Sequence, residues 1–215
     1  PDERKQHDHP TPPVGGFGVF LAIVLPGLWF YGLSREALGF AAGALLLVVV
    51  GALDDRYHLN WKLRIAVQVA AALILILVAG VRAEHVGPLF GFGDIELGWL
   101  SVPFTVFATL GLINALNMFD GIDGLVGMVT FAVVCMLVAA ALYSGAYDTA
   151  GGLFLVLGAL AGFLLFNKRF PWQPRARVFL GDAGSGFIGF TLAYVIFRLT
   201  QNPGHPVSPV LGPFL

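Results

Sequence analysis

Five aspartates stand at the ends of long uncharged stretches, and their grouping is the first sign of chemistry in this sequence. They form one pair, one looser group and one single residue, namely Asp54 with Asp55, Asp120 with Asp123, and Asp182. Proteins usually bind Mg²⁺ with one or two carboxylates together with phosphate oxygens of a substrate. Packing gives no reason for five carboxylates in so apolar a chain. We therefore expect a metal and phosphate site.

The pair Asp54 and Asp55 closes an apolar stretch. Adjacent residues of a helix point about 100° apart, so the two carboxylates would rarely serve one ligand in the same way. One could face a metal ion while the other meets a second phosphate or a cation. The alternative is an acidic pair that is only solvated at a helix end. Because a helix C-terminus disfavours negative charge, we prefer the functional interpretation.

Residues 114–124 carry a polar side chain at every third position. The polar residues are Asn114, Asn117, Asp120 and Asp123. On a continuous helix each step of three falls about 60° short of a full turn, so the first and last would face opposite sides. Gly121 and Gly124 can interrupt the helix and let the polar set converge on a cavity. The alternative is a loop turn rich in Asn and Asp.

Asp182 lies between glycines, just before the last long apolar stretch. Flanking glycines allow a phosphate to approach closely, and the N-terminus of the next helix offers free N–H groups and a favourable dipole. Asp182 could hold Mg²⁺ while those amides hold phosphate oxygens. Aspartate is also a common helix N-cap, so both interpretations stay open.

A basic loop precedes Asp182. Its cations are Lys168, Arg169, Arg175 and Arg177. They could clamp a diphosphate or a lipid phosphate, with Arg175 and Arg177 as substrate ligands. Alternatively, they only set the membrane topology and attract anionic lipid. The sequence does not choose between these two roles.

The composition indicates which elements must position these residues. The chain has 215 residues, of which 57% are hydrophobic and 12% charged, whereas about 25% are charged in a soluble domain. We therefore expect one integral membrane domain over residues 1–215. Its fold class should be all-α, a polytopic membrane helix bundle, because lipid offers the backbone no hydrogen-bond partners. The net charge of −1 gives no argument for a nucleic-acid partner.

Seven stretches are long and apolar enough, or nearly so, to be complete spans of about 20 residues. They are residues 14–34, 37–53, 65–81, 97–119, 124–143, 149–167 and 183–197. Alternating them puts nine of the 12 basic residues on one side, which the positive-inside rule makes cytoplasmic. The aspartates named above, Asp54, Asp55, Asp120, Asp123 and Asp182, all fall on that side too. Residues 89–97 have the glycine-punctuated pattern of a small external β-hairpin.

These motifs together resemble those of the polyprenyl-phosphate N-acetylhexosamine-1-phosphate transferases, a family of membrane enzymes. The likeness is carried by Arg4-Lys5 with residues 13–16, by residues 53–56 with Lys62 and Gln68, by residues 114–124, and by residues 179–185. It covers essentially the whole chain in the family's order and spacing. The resemblance implies that a sugar-1-phosphate passes from a UDP-sugar to a polyprenyl phosphate, with release of UMP and a need for Mg²⁺ or Mn²⁺.

The resemblance also implies roles for single residues. Asp54, Asp55 and Asp182 would be catalytic, with Asp182 as the principal metal ligand and Asp55 beside it. The expected substrate-binding residues outside the basic loop are Lys5, Lys62, Asn114, Asn117, Asp120 and Asp123. The family has a first helix, and later helices with a His-rich loop, that this chain does not contain. We therefore expect a fragment of a longer protein.

The expected reaction is transfer of N-acetylglucosamine-1-phosphate from UDP-GlcNAc to undecaprenyl phosphate at the bacterial inner membrane, with the site facing the cytoplasm. The motifs look closer to this branch of the family than to the translocase branch. Another UDP-N-acetylhexosamine or phospho-MurNAc-pentapeptide is the alternative with the same chemistry. An ion-coupled membrane transporter is the alternative of a different class, because acids near membrane spans often mark ion pathways. A homodimer stays open.

Overall fold

The computed structural model describes residues 13–88, 94–122, 124–168, 173, 175–201 and 207. Within these residues the chain is all-helical, as predicted, with seven α-helices and a 3₁₀ turn at Gly98–Leu100. The helices are α1 (Gly15–Tyr31), α2 (Arg35–Tyr57), α3 (Trp61–Leu77), α4 (Ser101–Phe119), α5 (Leu125–Tyr143), α6 (Tyr147–Asn167) and α7 (Gly181–Thr200).

Five segments of the described chain are long and apolar enough to cross a membrane. They are α2, α5, α6, α7 and Gly98–Phe119, which joins the 3₁₀ turn to α4. Helix α1 is apolar but has only 17 residues. Helix α3 also has 17 residues and carries Lys62 and Arg64 in its first turn. The chain is thus a multi-pass membrane protein, but the expected seven spans are not confirmed.

The predicted external β-hairpin is not confirmed either. Its residues 89–93 lie outside the described part of the chain. Next to them, His85 and Glu96 form an isolated antiparallel bridge. Two backbone hydrogen bonds flank it, from Val86 N–H to the Ile95 carbonyl at 3.1 Å and from Leu97 N–H to the carbonyl of residue 84 at 2.8 Å. The residues described here form a bridged loop without a β-strand.

Helix α7 is the centre of the bundle. In an apolar 18-residue stretch of α7, 89% of the residues are buried, against 28–39% in the corresponding stretches of the other four candidate spans. It packs mainly against α2 and α4, and then against α1. The Phe187 ring meets Phe20 of α1 at 5.4 Å, and the Phe190 ring stacks on Phe40 of α2 at 5.7 Å. A helix that is apolar all round belongs in such a position.

Small residues bring the backbones of α1 and α2 against the first turn of α7. A Cβ added at Gly16 would lie 2.5 Å from the Gly184 Cα, and one added at Gly51 would lie 2.5 Å from the Ala183 Cα. Glycine is used in this way where helices approach closely in lipid. The close contact of α2 with α7 places the end of α2, with its two aspartates, beside the start of α7.

Asp54, Asp55, Asp120 and Asp182 all lie at one end of the bundle, here called the site end. It contains the C-terminal ends of α2, α4 and α6 and the N-terminal ends of α1, α3, α5 and α7. Hydrogen bonds join these ends, for example Gly15 N–H to the Phe179 carbonyl at 2.9 Å and Gly124 N–H to Asn167 Oδ1 at 2.8 Å. The prediction that the cytoplasm lies on this side stays a prediction.

Candidate functional site

The first turn of α7 is held by a carboxylate from α2. Asp55 Oδ1 accepts a hydrogen bond from the Asp182 N–H at 2.9 Å, and its Oδ2 lies 3.5 Å from the Ala183 nitrogen. Gly181 starts the helix with a φ of 73°, a left-handed conformation that glycine adopts without strain. A helix N-terminus carries partial positive charge, so it stabilises the Asp55 carboxylate. Asp55 is therefore bonded to the backbone of α7.

Its neighbour Asp54 faces α3 instead and is only 4% exposed. Its Oδ1 accepts a hydrogen bond from the Leu59 N–H at 2.7 Å, in the short connection between α2 and α3. Its Oδ2 lies 3.0 Å from Arg64 Nε, as an ion pair that lacks hydrogen-bond geometry. Asp54 thus has a buried carboxylate oxygen with unused acceptor capacity. The two adjacent aspartates serve different partners, as the 100° step between them predicts.

Asn117 of α4 joins this pair to Asp182. Its Nδ2 donates hydrogen bonds to Asp182 Oδ1 and, at 3.1 Å, to Ser185 Oγ. Its Oδ1 accepts one from Arg64 Nη2 at 3.2 Å. The same Arg64 nitrogen is 4.0 Å from Asp182 Oδ1. The polar ends of α2, α3, α4 and α7 therefore meet around one point.

A small cavity of about 30 Å³ lies at this point. Its lining residues are Leu47, Val50, Gly51, Asp54, Arg64, Val67, Gln68, Ile113, Asn117, Asp182 and Gly186. A polar cavity needs roughly 10–15 Å³ to hold one water molecule, so this one has room for a water or a small ion. Its polar lining consists of two carboxylates, two side-chain amides and one guanidinium group.

The donor set fits Mg²⁺. Within the described residues, no three His, Cys, Asp or Glu side chains are grouped as a metal site. Mg²⁺ does not require such a group, because it is usually held by one or two carboxylates while water and substrate phosphates complete its coordination. The unused oxygen of Asp54 and the carboxylate of Asp182 meet this need. Asp55, which was predicted as a metal ligand, does not line the cavity.

Asp120 caps the C-terminal end of α4 close to the start of α7. Burial raises the pKa of its carboxyl to about 7, and the negative charges of Asp182 and Asp55 add to the rise. A hydrogen bond from the Gly181 backbone acts in the opposite direction. Asp120 therefore stands in the same electrostatic cluster as Asp55 and Asp182, and its charge changes near neutral pH.

The other predicted substrate ligands lie at the site end or outside the described residues. Asn114 donates to Gln68 Oε1 at 2.7 Å and to the Leu110 carbonyl at 2.8 Å, so it links α4 to α3. Of the other five predicted ligands, three are described and exposed, and two lie outside the described residues. Lys62, Arg175 and Arg177 are exposed, and Lys5 and Asp123 lie outside the described part.

None of the three exposed cations forms an ion pair with a described carboxylate of the cluster. The Lys62 ammonium lies 5.7 Å from the centre of the Trp61 ring. The roles of the three cations in substrate binding stay predictions.

Sequence reasoning assigned no site role to Arg64 or Ser185, both of which belong to the central contacts. Arg64 offered only a weak signal, because an arginine near the end of an apolar helix can reach the membrane interface without a partner. It stands only ten positions after Asp54, across one short connection. Ser185 offered no signal beyond its place in the glycine-rich start of α7.

Comparison with known proteins assigns the chain to a family. The sequence pattern of glycosyl transferase family 4 matches residues 37–200. Proteins named undecaprenyl-phosphate alpha-N-acetylglucosaminyl 1-phosphate transferase are 35% identical in Escherichia coli O157:H7, 36% in Yersinia pestis and 34% in Haemophilus influenzae. Each alignment covers 98% of this chain but only 57–59% of the relative. With its described acidic cluster inside the matched region, the chain belongs to glycosyl transferase family 4.

Proposed function

We propose that the protein containing this chain transfers N-acetylglucosamine-1-phosphate from UDP-GlcNAc to undecaprenyl phosphate, giving undecaprenyl-diphospho-GlcNAc and UMP. The printed names of the relatives support this reaction, and the chain aligns with them over 98% of its length. The single observation that carries the proposal is the cavity between Asp54 and Asp182. It provides paired carboxylates at the end of a membrane bundle, where a lipid phosphate and a water-soluble nucleotide can both arrive.

The reaction exchanges one P–O bond for another. An oxygen of the lipid phosphate attacks the β-phosphorus of the UDP-sugar and forms a new P–O bond. The bond from the β-phosphorus to the bridging oxygen breaks, and UMP leaves with that oxygen. Phosphoryl transfer depends mainly on positioning and electrostatic stabilisation, because the protein has little covalent work to do. The task of this chain is therefore to hold several negative groups together.

Different residues of the chain would hold the ion, orient its ligand and position the start of α7. Asp182 and Asp54 would hold a divalent ion, Mg²⁺ or Mn²⁺, with Asn117 orienting the Asp182 carboxylate. When bound, such an ion neutralises charge on the diphosphate and on the leaving UMP. Asp55 fixes the first turn of α7 and so positions Asp182. Because Asp55 is bonded to that backbone, Asp54 is the better placed of the two to accept a proton or to order the ion.

Three exposed cations would bind the phosphate groups of the substrates. Lys62 stands in the first turn of α3, and the exposed Arg175 and Arg177 precede α7. Arginine binds phosphate oxygens through two parallel hydrogen bonds, so these side chains suit a diphosphate or the lipid phosphate. The site would open to the cytoplasm, where UDP-sugars are made available. Transfer at the inner membrane would start a cell-surface polysaccharide.

The test uses membranes that contain the full-length protein. They are incubated with undecaprenyl phosphate, MgCl₂ and, in separate reactions, UDP-GlcNAc, UDP-GalNAc and UDP-MurNAc-pentapeptide. UMP release is measured, and the lipid product is identified by mass. We expect undecaprenyl-diphospho-GlcNAc with one UMP for each lipid, and no product after addition of EDTA.

Other outcomes would change the proposal in defined ways. A lipid that carries another N-acetylhexosamine or phospho-MurNAc-pentapeptide would keep the chemistry and correct the donor. A solute flux in proteoliposomes, without UMP release from any donor, would refute the transferase and favour the transporter.

A further inference from the structure

Within the described residues, the contacts of the carboxylate cluster offset only part of its negative charge. Four described aspartates, Asp54, Asp55, Asp120 and Asp182, belong to it. Helix α7 offsets part of the charge at Asp55 through two backbone N–H groups. Within the described residues, the side-chain cation in contact with the cluster is Arg64, at 3.0 Å from Asp54 and 4.0 Å from Asp182.

We propose that Arg64 is an internal counter-ion, which holds Asp54 and Asp182 together when no metal is bound and competes with the divalent ion for them. The inference rests on the metal site of the proposed function and adds a positioning residue to it. The two carboxylates that would bind the ion are the two that the guanidinium contacts. Arg64 also lines the cavity between them.

The contacts of Arg64 suit a counter-ion that can be displaced. Its Nε lies against Asp54 as an ion pair without hydrogen-bond geometry, and its distance to Asp182 is 4.0 Å. Its hydrogen bond within the cluster goes to the neutral amide of Asn117. The side chain is 31% exposed, whereas that of Asp54 is 5% exposed. The carboxylate is thus fixed in the core, while the cation reaches towards the surface.

Charge makes simultaneous binding at this place unfavourable. A guanidinium and a divalent ion about 4 Å apart repel each other, and even with the full screening of water this repulsion corresponds to about thirtyfold in a dissociation constant. Binding of the ion must therefore move Arg64 away from the carboxylates. Once released, its planar group of N–H donors is free for phosphate oxygens, which it binds better than a lysine would.

The test measures Mn²⁺ binding to the purified full-length protein by electron paramagnetic resonance, without substrate. We expect Arg64→Gln to bind Mn²⁺ at least about tenfold more tightly than the wild type, and to melt at a lower temperature without metal. The matched control is Arg56→Gln. It removes the same charge from an exposed side chain whose guanidinium stands over Tyr57, and its affinity should stay within about twofold.

A second measurement needs no variant. Phenylglyoxal modifies free arginines, and mass spectrometry can follow Arg64 and Arg56 in the wild type. Saturating Mn²⁺ should raise the modification rate of Arg64 several-fold and leave that of Arg56 unchanged. A merely structural arginine would bind metal no better after removal and would not become more reactive.

The contrary outcomes are distinct. If the wild type binds no Mn²⁺, the metal site of the proposed function fails, and the counter-ion role fails with it. If the wild type binds Mn²⁺ but Arg64→Gln binds it equally or more weakly, the counter-ion role alone is overturned. Should the variant not fold, an unchanged or reduced modification rate of Arg64 with Mn²⁺ overturns it instead.

Discussion

Replacing Asp55 by alanine should destabilise the start of α7. The carboxylate accepts a hydrogen bond at 2.9 Å from the Asp182 N–H, while its second contact, to the Ala183 nitrogen, is long at 3.5 Å. A hydrogen bond to a charged group contributes about 1.5–3 kcal/mol. The interaction of a carboxylate with a helix N-terminus adds about 0.3–1 kcal/mol. Because Asp55 is only partly buried, we expect a loss of about 2–3 kcal/mol in the free energy of unfolding.

The assay is thermal unfolding of the full-length protein in detergent, followed by tryptophan fluorescence. If a unit of about 150–250 residues unfolds cooperatively, each kcal/mol shifts the midpoint by about 2–4 °C, so Asp55→Ala should melt about 4–12 °C lower. Asp55→Asn keeps an oxygen that can accept the same N–H group, and it should lose less. Arg56→Ala is the matched control, because Arg56 is an exposed neighbour on the same helix.

Two results would refute this reasoning. Equal midpoints for Asp55→Ala and Arg56→Ala would mean that the contact with α7 stabilises nothing. An unchanged midpoint of Asp55→Asn, together with complete loss of Mn²⁺ binding, would make Asp55 a metal ligand instead of a cap.

Three further predictions concern single residues. Asp182→Asn should abolish UMP release and Mn²⁺ binding while the protein stays in the membrane, and wild-type turnover would disprove its metal role. The raised pKa of Asp120, about 7, means that the folded state binds a proton more tightly than the unfolded one, so its contribution to stability falls as the pH rises from about 4 to 7. The metal-free wild type should therefore lose more stability than Asp120→Asn between pH 5.5 and 8, and parallel melting curves would contradict this. Glu36 pairs with Arg198 at 2.7 Å, about 27 Å along α2 from Asp54, so Glu36→Gln should lower the melting midpoint without changing Mn²⁺ affinity.

The helical framework was predictable because its causes are local. Long apolar stretches must form helices in lipid. The boundaries were less well predicted: the stretch expected at residues 65–81 is a helix at Trp61–Leu77, and Asn60 caps its start by accepting the Lys62 N–H at 2.9 Å. Counting these stretches also put Asp54, Asp55, Asp120 and Asp182 at one end. The number of spans was less accessible, since α1 is as apolar as a complete span but has only 17 residues, and α3 is equally short.

The sequence by itself determined an all-helical membrane chain, the family of its motifs, and the gathering of Asp54, Asp55, Asp120 and Asp182 at one end. Only the tertiary structure decided which partner each carboxylate contacts. Asp54 and Asp55 are chemically identical neighbours, and no local rule assigns one to Arg64 and the other to the backbone of α7. That choice follows from the close packing of Gly51 against Ala183, which fixes how α2 is rotated against α7. Rotation of a helix about its axis depends on long-range packing, because periodicity alone leaves a nearly uniform apolar helix without a preferred face.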